Sequence, residues 1–406
     1  MYLSYFDKFY DMEPYLFIDE EEWDYIKKTF DKQDVRESLA KVAMSYPPPY
    51  MDITEKDALK QLQKLKGMRH NEILVEGEWF AREGTEYRYD LTFEGKQQYF
   101  KRNNTGNDAS NYFQQKNRWS VDGTIAPGPH RTWESHKFMT TLIGSAYSLK
   151  LPKIDKSAFR VMIGLRKYIC SQFKPNVAKV LYDKLESKSI LDFSAGWGDR
   201  LAGFYASETG EFYLGIDPRK ENHPIYEEQK WFYEKHRTMF EVNKRSLMIE
   251  SPAEDFEYKE NMYDTVFTSP PYFSVERYSY DDTQSWVRYK DIDSWNKNFL
   301  QKSIKKIWPS IKSGGYLLVN IADVFARTAG ERNMVEICNP MNDFISTFSD
   351  SEYQGCIGME MAKRPNSGGA GMARASDERF QDSTIQKAEE TKDKRFCEPI
   401  WIWRKL

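Results

Sequence analysis

Apolar and polar positions along this chain change their period twice. Up to residue 66 they recur at helical spacing: Glu20-Glu-Glu-Trp-Asp-Tyr-Ile-Lys-Lys-Thr-Phe30 runs acids first and lysines last, as the helix dipole favours. Thr54, beyond the breaker Pro47-Pro48-Pro49, is placed to cap Glu55–Leu65, with Leu59, Leu62 and Leu65 on one face. From Gly67 to about Lys101, runs rich in β-formers replace that pattern, and Ile73–Phe80 with Tyr87–Phe93 predict a hairpin or small sheet. Two amphipathic helices follow, Lys156–Cys170 and Pro175–Leu185, and from Ser189 strands and helices alternate as in an α/β sheet. This divides the chain into an accessory α+β region at 1–150, helical over 1–66 and β-rich, aromatic and basic over 67–150, and an α/β domain at 151–406.

The α/β domain carries the candidate chemistry. Ile190-Leu-Asp-Phe-Ser-Ala-Gly-Trp-Gly-Asp-Arg200 reads as a strand, a tight turn and the opening of a helix, with Gly196 and Gly198 letting a ligand approach the backbone. The next strand ends in Asp217, 217 − 196 = 21 positions after Gly196. In a Rossmann-like unit an acid about 20 residues past the glycines accepts ribose hydroxyls; the plainer reading is a solvated strand end. A third strand around Phe240–Ile249 leads to Glu254, which reaches toward an adenine ring or simply opens a helix. A fourth, Asp264–Thr268, stops at Ser269-Pro270-Pro271-Tyr272, because two successive prolines deny the strand its ladder donors. A hydroxyl, a fixed carbonyl and an aromatic ring are thereby displayed at the carboxyl edge of the sheet, where such folds hold ligands.

Composition narrows the partners. With 406 residues, 40% hydrophobic and 30% charged, the chain can bury a full core, and a net charge of −3 excludes a global basic field. A nucleic-acid surface would have to be local. Residues 99–136 offer one, interleaving cations with rings, among them Arg118, Trp119 and Arg131; packing of the same rings against the catalytic domain is the equal alternative. Glu276, Arg277 and Tyr278, just past the prolines, are expected to line the target pocket. The polar stretch 364–394 is far longer than an ordinary connection, and its Arg364 and Arg374 are candidates for phosphate contact, a solvated stretch uninvolved in binding being the equal alternative. Four scattered cysteines without a CxxC pair argue against zinc or a disulfide framework, and no metal is expected. With no apolar run long enough to span a bilayer and no export signal, a cytoplasmic setting away from membranes is expected.

The glycine turn and the proline turn together resemble the S-adenosylmethionine-dependent amino-methyltransferases that act on cytosine N4 or adenine N6. That family's Asp-Pro-Phe-Ala-Gly-Ser-Gly corresponds to Asp192-Phe193-Ser194-Ala195-Gly196-Trp197-Gly198, and its Asp/Asn/Ser-Pro-Pro-Tyr tetrad to Ser269-Pro270-Pro271-Tyr272. The resemblance spans roughly 175–325 and the last strand. It implies a Rossmann-like class I methyltransferase sheet, S-adenosylmethionine held by Asp192, Ser194, Ala195, Gly196 and Gly198 with Asp217 and Glu254, and a tetrad that grips the target amine. It implies DNA rather than RNA as partner and favours cytosine N4 slightly over adenine N6. Two departures stand out: Phe193-Ser194 replace the family's Pro-Phe, and the glycine motif precedes the tetrad, an order found in other adenine and RNA enzymes. An RNA base methyltransferase, a non-catalytic nucleic-acid-binding protein of the same fold, and a small-molecule or protein-glutamine methyltransferase are the rivals.

Overall fold

The structure, a computed structural model, describes residues 2–81, 85–124, 126–328, 331–361 and 395–406. It divides into two compact units. One is built on a sheet and comprises 54–113, 172–275 and 280–406; the other is helical and comprises 1–53, 114–171 and 276–279.

Seven strands form the centre of the sheet unit: β1 Ser189–Asp192, β2 Phe212–Asp217, β3 Arg245–Glu250, β4 Tyr263–Thr268, β5 Ile311–Asn320, β6 Ser351–Glu360 and β7 Arg395–Lys405. Their order is β3-β2-β1-β4-β5-β7-β6. The first five are parallel, and β7 runs antiparallel to both of its neighbours. This is the Rossmann-like α/β sheet expected from the sequence. Parallel strands covered on both faces must be apolar on both, and the burial alternates accordingly. Leu191, Val266, Leu317, Val319 and Trp401 enter one core. Ile190, Phe267, Leu318, Ile400 and Ile402 enter the other.

The boundary expected at residue 150 does not hold. Residues 54–113 belong with the sheet: helix Glu55–Lys66 buries Ala58 and Leu62 in the second core, and Gln98–Phe100 pairs in parallel with β6. The hairpin is also differently made, because Leu74–Glu76 pairs with Gln98–Phe100. Of Tyr87–Phe93, Phe93 alone makes bridges, to Lys96 and Gly355. The last strand pair, expected at 353–363 and 398–403, is β6 with β7.

The helical unit packs Glu20–Thr29, Lys32–Met44, His136–Ser148 and Lys156–Arg166 around Phe6, Trp23, Leu39, Ile143 and Phe159. Asp19, Asp31, Ser135 and Asp155 cap these four helices by accepting from first-turn amides, which explains where each begins. Asp122–Gly123 and Glu276–Arg277 form a two-stranded bridge within this unit. Among the described residues no helix is long and apolar enough to cross a membrane.

Candidate active site

β1 lies between β2 and β4, so the chain leaves it in opposite directions and a crevice opens at the carboxyl ends of these strands. The glycine turn follows β1 and the Ser-Pro-Pro-Tyr turn follows β4. The pairing of Ile190 with Thr265 and Leu191 with Val266 makes the two turns neighbours.

The two glycines do different things. Both are left-handed, with φ of +58° at Gly196 and +71° at Gly198, a conformation that disfavours any side chain. A Cβ at Gly198 would also meet the Gln229 amide at 2.6 Å, so this glycine lets helix His223–Lys235 pack closely. A Cβ at Gly196 would find only the Ser194 carbonyl, 3.8 Å away, so here the backbone borders open space. That opening is what a ligand lying on the turn requires.

The turn is pinned from several sides. The Gly196 amide donates to Asp217 Oδ2 at 2.8 Å, while its carbonyl accepts from Asn222 Nδ2 at 2.9 Å and from the Tyr226 hydroxyl. Asp217 Oδ1 accepts from the Arg219 amide at 2.9 Å. Each carboxylate oxygen keeps a lone-pair site beyond these bonds, enough for ribose hydroxyls. Burial pushes the Asp217 pKa up, opposed by the Arg219 and Gly196 amides. Gly196 open to a ligand and Asp217 at the tip of β2 thus fit a nucleoside cofactor.

Asp192 has another occupation. It is fully buried and accepts from Arg200 Nε at 2.7 Å and Nη2 at 3.2 Å, from the Tyr213 hydroxyl at 2.7 Å and from the Ser194 amide at 3.2 Å. Burial would push the Arg200 guanidinium down, but the adjacent Asp192 carboxylate more than offsets this and holds it above its ordinary range. Arg200 also donates to the Ser194 carbonyl, so the ion pair shapes the turn from beneath. Ala195 is buried and its amide donates to the Ile216 carbonyl at 2.9 Å. Glu254, 1% exposed, accepts on Oε1 from Arg288 and from the Tyr289 hydroxyl, each at 3.1 Å.

At the proline turn, the Ser269 hydroxyl donates to Asn320 Oδ1 at 3.3 Å. Val319 pairs with Thr268, which brings Asn320 at the end of β5 level with Ser269. Asn320 is 1% exposed, and its Nδ2 donates to the Pro399 carbonyl at 3.1 Å, fixing which end of the amide faces the serine. The Tyr272 hydroxyl donates to Glu398 Oε2 at 3.2 Å. Pro270 is buried, Pro271 partly so, and Phe273 anchors the turn against Trp295 with φ of +47°.

The remaining candidates lie in the helical unit and serve its packing. Trp119 is 6% exposed and packs on Tyr50, so it is a core ring where base stacking was one expectation. Arg118 Nη2 donates to the Cys170 carbonyl at 2.9 Å, and Arg131 pairs with Asp122 at 3.1 Å. Glu276, 6% exposed, accepts from the hydroxyls of Tyr168 and Tyr278, tying the segment after the prolines into this unit, and Arg277 pairs through its backbone with Asp122. Arg364, Arg374 and the loop 364–394 lie outside the described residues. Sequence reasoning missed Arg200, Asn222, Tyr226 and Glu398. The first three stand on the helices after β1 and β2 with no spacing signal of their own, and Glu398 is brought in by the pairing of the last strand.

No family model matches the chain, and no curated protein matches it. Among solved structures, a SAM-dependent methyltransferase from Archaeoglobus fulgidus is similar at 10% identity and a TM-score of 0.34, over 61% of this chain and 99% of that one. The tRNA (m1A58) methyltransferase TrmI from Aquifex aeolicus is similar at 13% identity and a TM-score of 0.34, over 58% and 71%. A SAM-dependent methyltransferase from Methanosarcina mazei is similar at 12% identity and a TM-score of 0.32, over 54% and 93%. At TM-scores this low, none bears on what this chain does.

Proposed function

We propose that this protein transfers a methyl group from S-adenosylmethionine to an exocyclic amine of a nucleic-acid base. DNA is the polymer that the serine form of the tetrad favours, with cytosine N4 ahead of adenine N6. The observation that carries the reading is the hydrogen bond between Ser269 and Asn320. Ser269 donates to Asn320, whose own orientation is set by Pro399, so the serine oxygen turns both lone pairs outward.

An exocyclic amine is a weak nucleophile because its lone pair is delocalised into the ring. Two acceptors that hold its two N–H bonds out of plane would localise that pair and aim it. Ser269 Oγ, made a pure acceptor by Asn320, and the Pro270 carbonyl, fixed by its ring, are that pair. Tyr272, tethered through its hydroxyl to Glu398, presents a ring for stacking on an extruded base. The cofactor would rest on the open backbone at Gly196 with its ribose on Asp217, and it supplies an electrophilic methyl on a good leaving group. Asp192 acts from beneath the turn through Arg200, as a positioning residue.

The test incubates the protein with labelled S-adenosylmethionine and either DNA or RNA, then identifies methylated nucleosides by mass spectrometry. N4-methylcytosine or N6-methyladenine in DNA is expected. Label in RNA alone would move the substrate, and label in neither polymer would overturn the nucleic-acid reading.

A further inference from the structure

In the helical unit a hollow of about 350 Å³ is lined by Lys32, Arg36, Arg166 and Lys167, together with hydroxyls that include those of Thr141 and Ser148. We infer that this hollow binds a phosphodiester of the polynucleotide substrate, an assignment that rests on the function proposed above.

Lys32 and Arg36 stand on the first turns of helix Lys32–Met44, and Arg166 and Lys167 end helix Lys156–Arg166. Cations ending a helix suit its dipole, but Lys32 opens one, where a positive charge is disfavoured. None of the four forms an ion pair among the described residues, although the chain carries more acids, 62, than bases, 59. Asp31, the nearest acid in sequence, spends its carboxylate capping the amides of Gln33 and Asp34. Four like charges around one hollow repel one another, and among the described residues no carboxylate lies within ion-pair distance of any of them.

Donors remain for a ligand. Arg36 gives Nε to the Thr140 carbonyl at 3.2 Å and Nη1 to Gln33 at 3.1 Å, while Nη2 has no bond among the described residues. Its guanidinium lies against Gly144, where a Cβ would meet Nε at 2.8 Å, so the glycine seats it. Arg166 has one long bond, to Ser148 Oγ at 3.4 Å, and Lys167 one, to the Phe138 carbonyl at 3.3 Å. Lys32 has none among the described residues; its ammonium stands over the Tyr147 ring, 4.9 Å from the centroid. Planar forks and point charges with unused donors beside hydroxyls are the chemistry that phosphate oxygens require.

The test uses Lys32→Gln/Arg166→Gln, both exposed, and separately Arg36→Gln, with Lys28→Gln/Lys41→Gln as an equal charge change on exposed lysines that do not line the hollow. Binding of a fluorescein-labelled 20-mer, duplex and single-stranded, is followed by anisotropy across KCl concentrations. Loss of the hollow's cations should lower the slope of log affinity against log salt by up to about 0.7–0.9 in total, the contribution of one phosphate, and weaken binding by up to about 5- to 10-fold near 0.1 M salt. Unchanged slopes, or an equal loss in the lysine control, would overturn the assignment. If sodium phosphate protects the wild type but not the variants from heat while 20-mer affinity is unmoved, the ligand is a free phosphate and the polynucleotide assignment is wrong. Methyl incorporation with unaltered slopes sinks this inference alone; neither incorporation nor binding by the wild type sinks the function and the inference with it.

Discussion

Asn320 is the residue on which the proposed chemistry can be tested without touching substrate or cofactor contacts. Replacing it with Ala removes the acceptor for the Ser269 proton and the donor to the Pro399 carbonyl. The Pro399 carbonyl is then an unmet buried acceptor, which costs about 1–3 kcal/mol of stability. The catalytic loss is separate. The Ser269 hydroxyl, released from a bond of 3.3 Å, can point its hydrogen at the place of the amine, and turning it away costs about one neutral hydrogen bond, ~0.5–1.5 kcal/mol. At 1.36 kcal/mol per tenfold, kcat should fall about 2- to 13-fold, against a larger fall for Ser269→Ala, which deletes the acceptor itself. Asn320→Asp keeps an acceptor for the serine but sets a buried carboxylate against the Pro399 carbonyl, so it should lose more stability than Ala yet exceed it in turnover. Urea denaturation, single-turnover methylation and calorimetry with S-adenosylmethionine separate these terms. An Asn320→Ala protein that loses cofactor affinity in step with turnover, or turns over normally despite the lost stability, refutes the positioning argument.

The other expectations concern the cofactor side and the fold. Asp217→Ala should weaken cofactor binding about 10- to 100-fold, the equivalent of one charge-assisted hydrogen bond of ~1.5–3 kcal/mol, and calorimetry showing intact affinity would remove Asp217 from the site. Arg200→Met strands the buried Asp192 carboxylate and should cost about 3–5 kcal/mol in denaturant unfolding, whereas Asp192→Asn/Arg200→Met should recover part of that; strictly additive losses would mean the pair is not coupled. Lys244, 5% exposed, donates to the carbonyls of Ser207 and Gly210 at 2.8 Å each, yet burial pushes its pKa down to about 8. The unfolded chain therefore binds more protons between pH 8 and its ordinary value, so stability should rise with pH across that window, by up to ~3 kcal/mol. Thermal melts at pH 7.5 and 9.5 check the sign, and Lys244→Met should flatten the difference.

How much of this was legible in the sequence depends on whether a residue answers to its own stretch of chain or to a distant one. Gly196, Gly198 and the proline turn are fixed by backbone geometry within a few positions, so spacing alone located them, and the strand alternation after Ser189 located the sheet that holds them. Asp192 and Asp217 look alike in sequence, as acids closing successive strands. They differ because Arg200 reaches Asp192 from the following helix, while Asp217 is met by backbone amides at 2.8 and 2.9 Å and keeps lone pairs for a ligand. Only the packing of a helix on its strand decides between those fates. Trp119 shows the same limit from the other side, since an aromatic among cations reads as a stacking surface until Tyr50, 119 − 50 = 69 positions earlier, is seen to cover it. The cationic hollow was beyond sequence reasoning for another cause: Arg166 lies in a basic stretch, but Arg36 stands 166 − 36 = 130 positions away among acids as well as bases, in a chain of net charge −3, and only the fold brings the two together. Long-range placement therefore governs which polar residues are spent on structure and which are left for ligands. The unspent ones, Ser269 with its lone pairs turned outward and the four cations with donors to spare, are where the function should be sought.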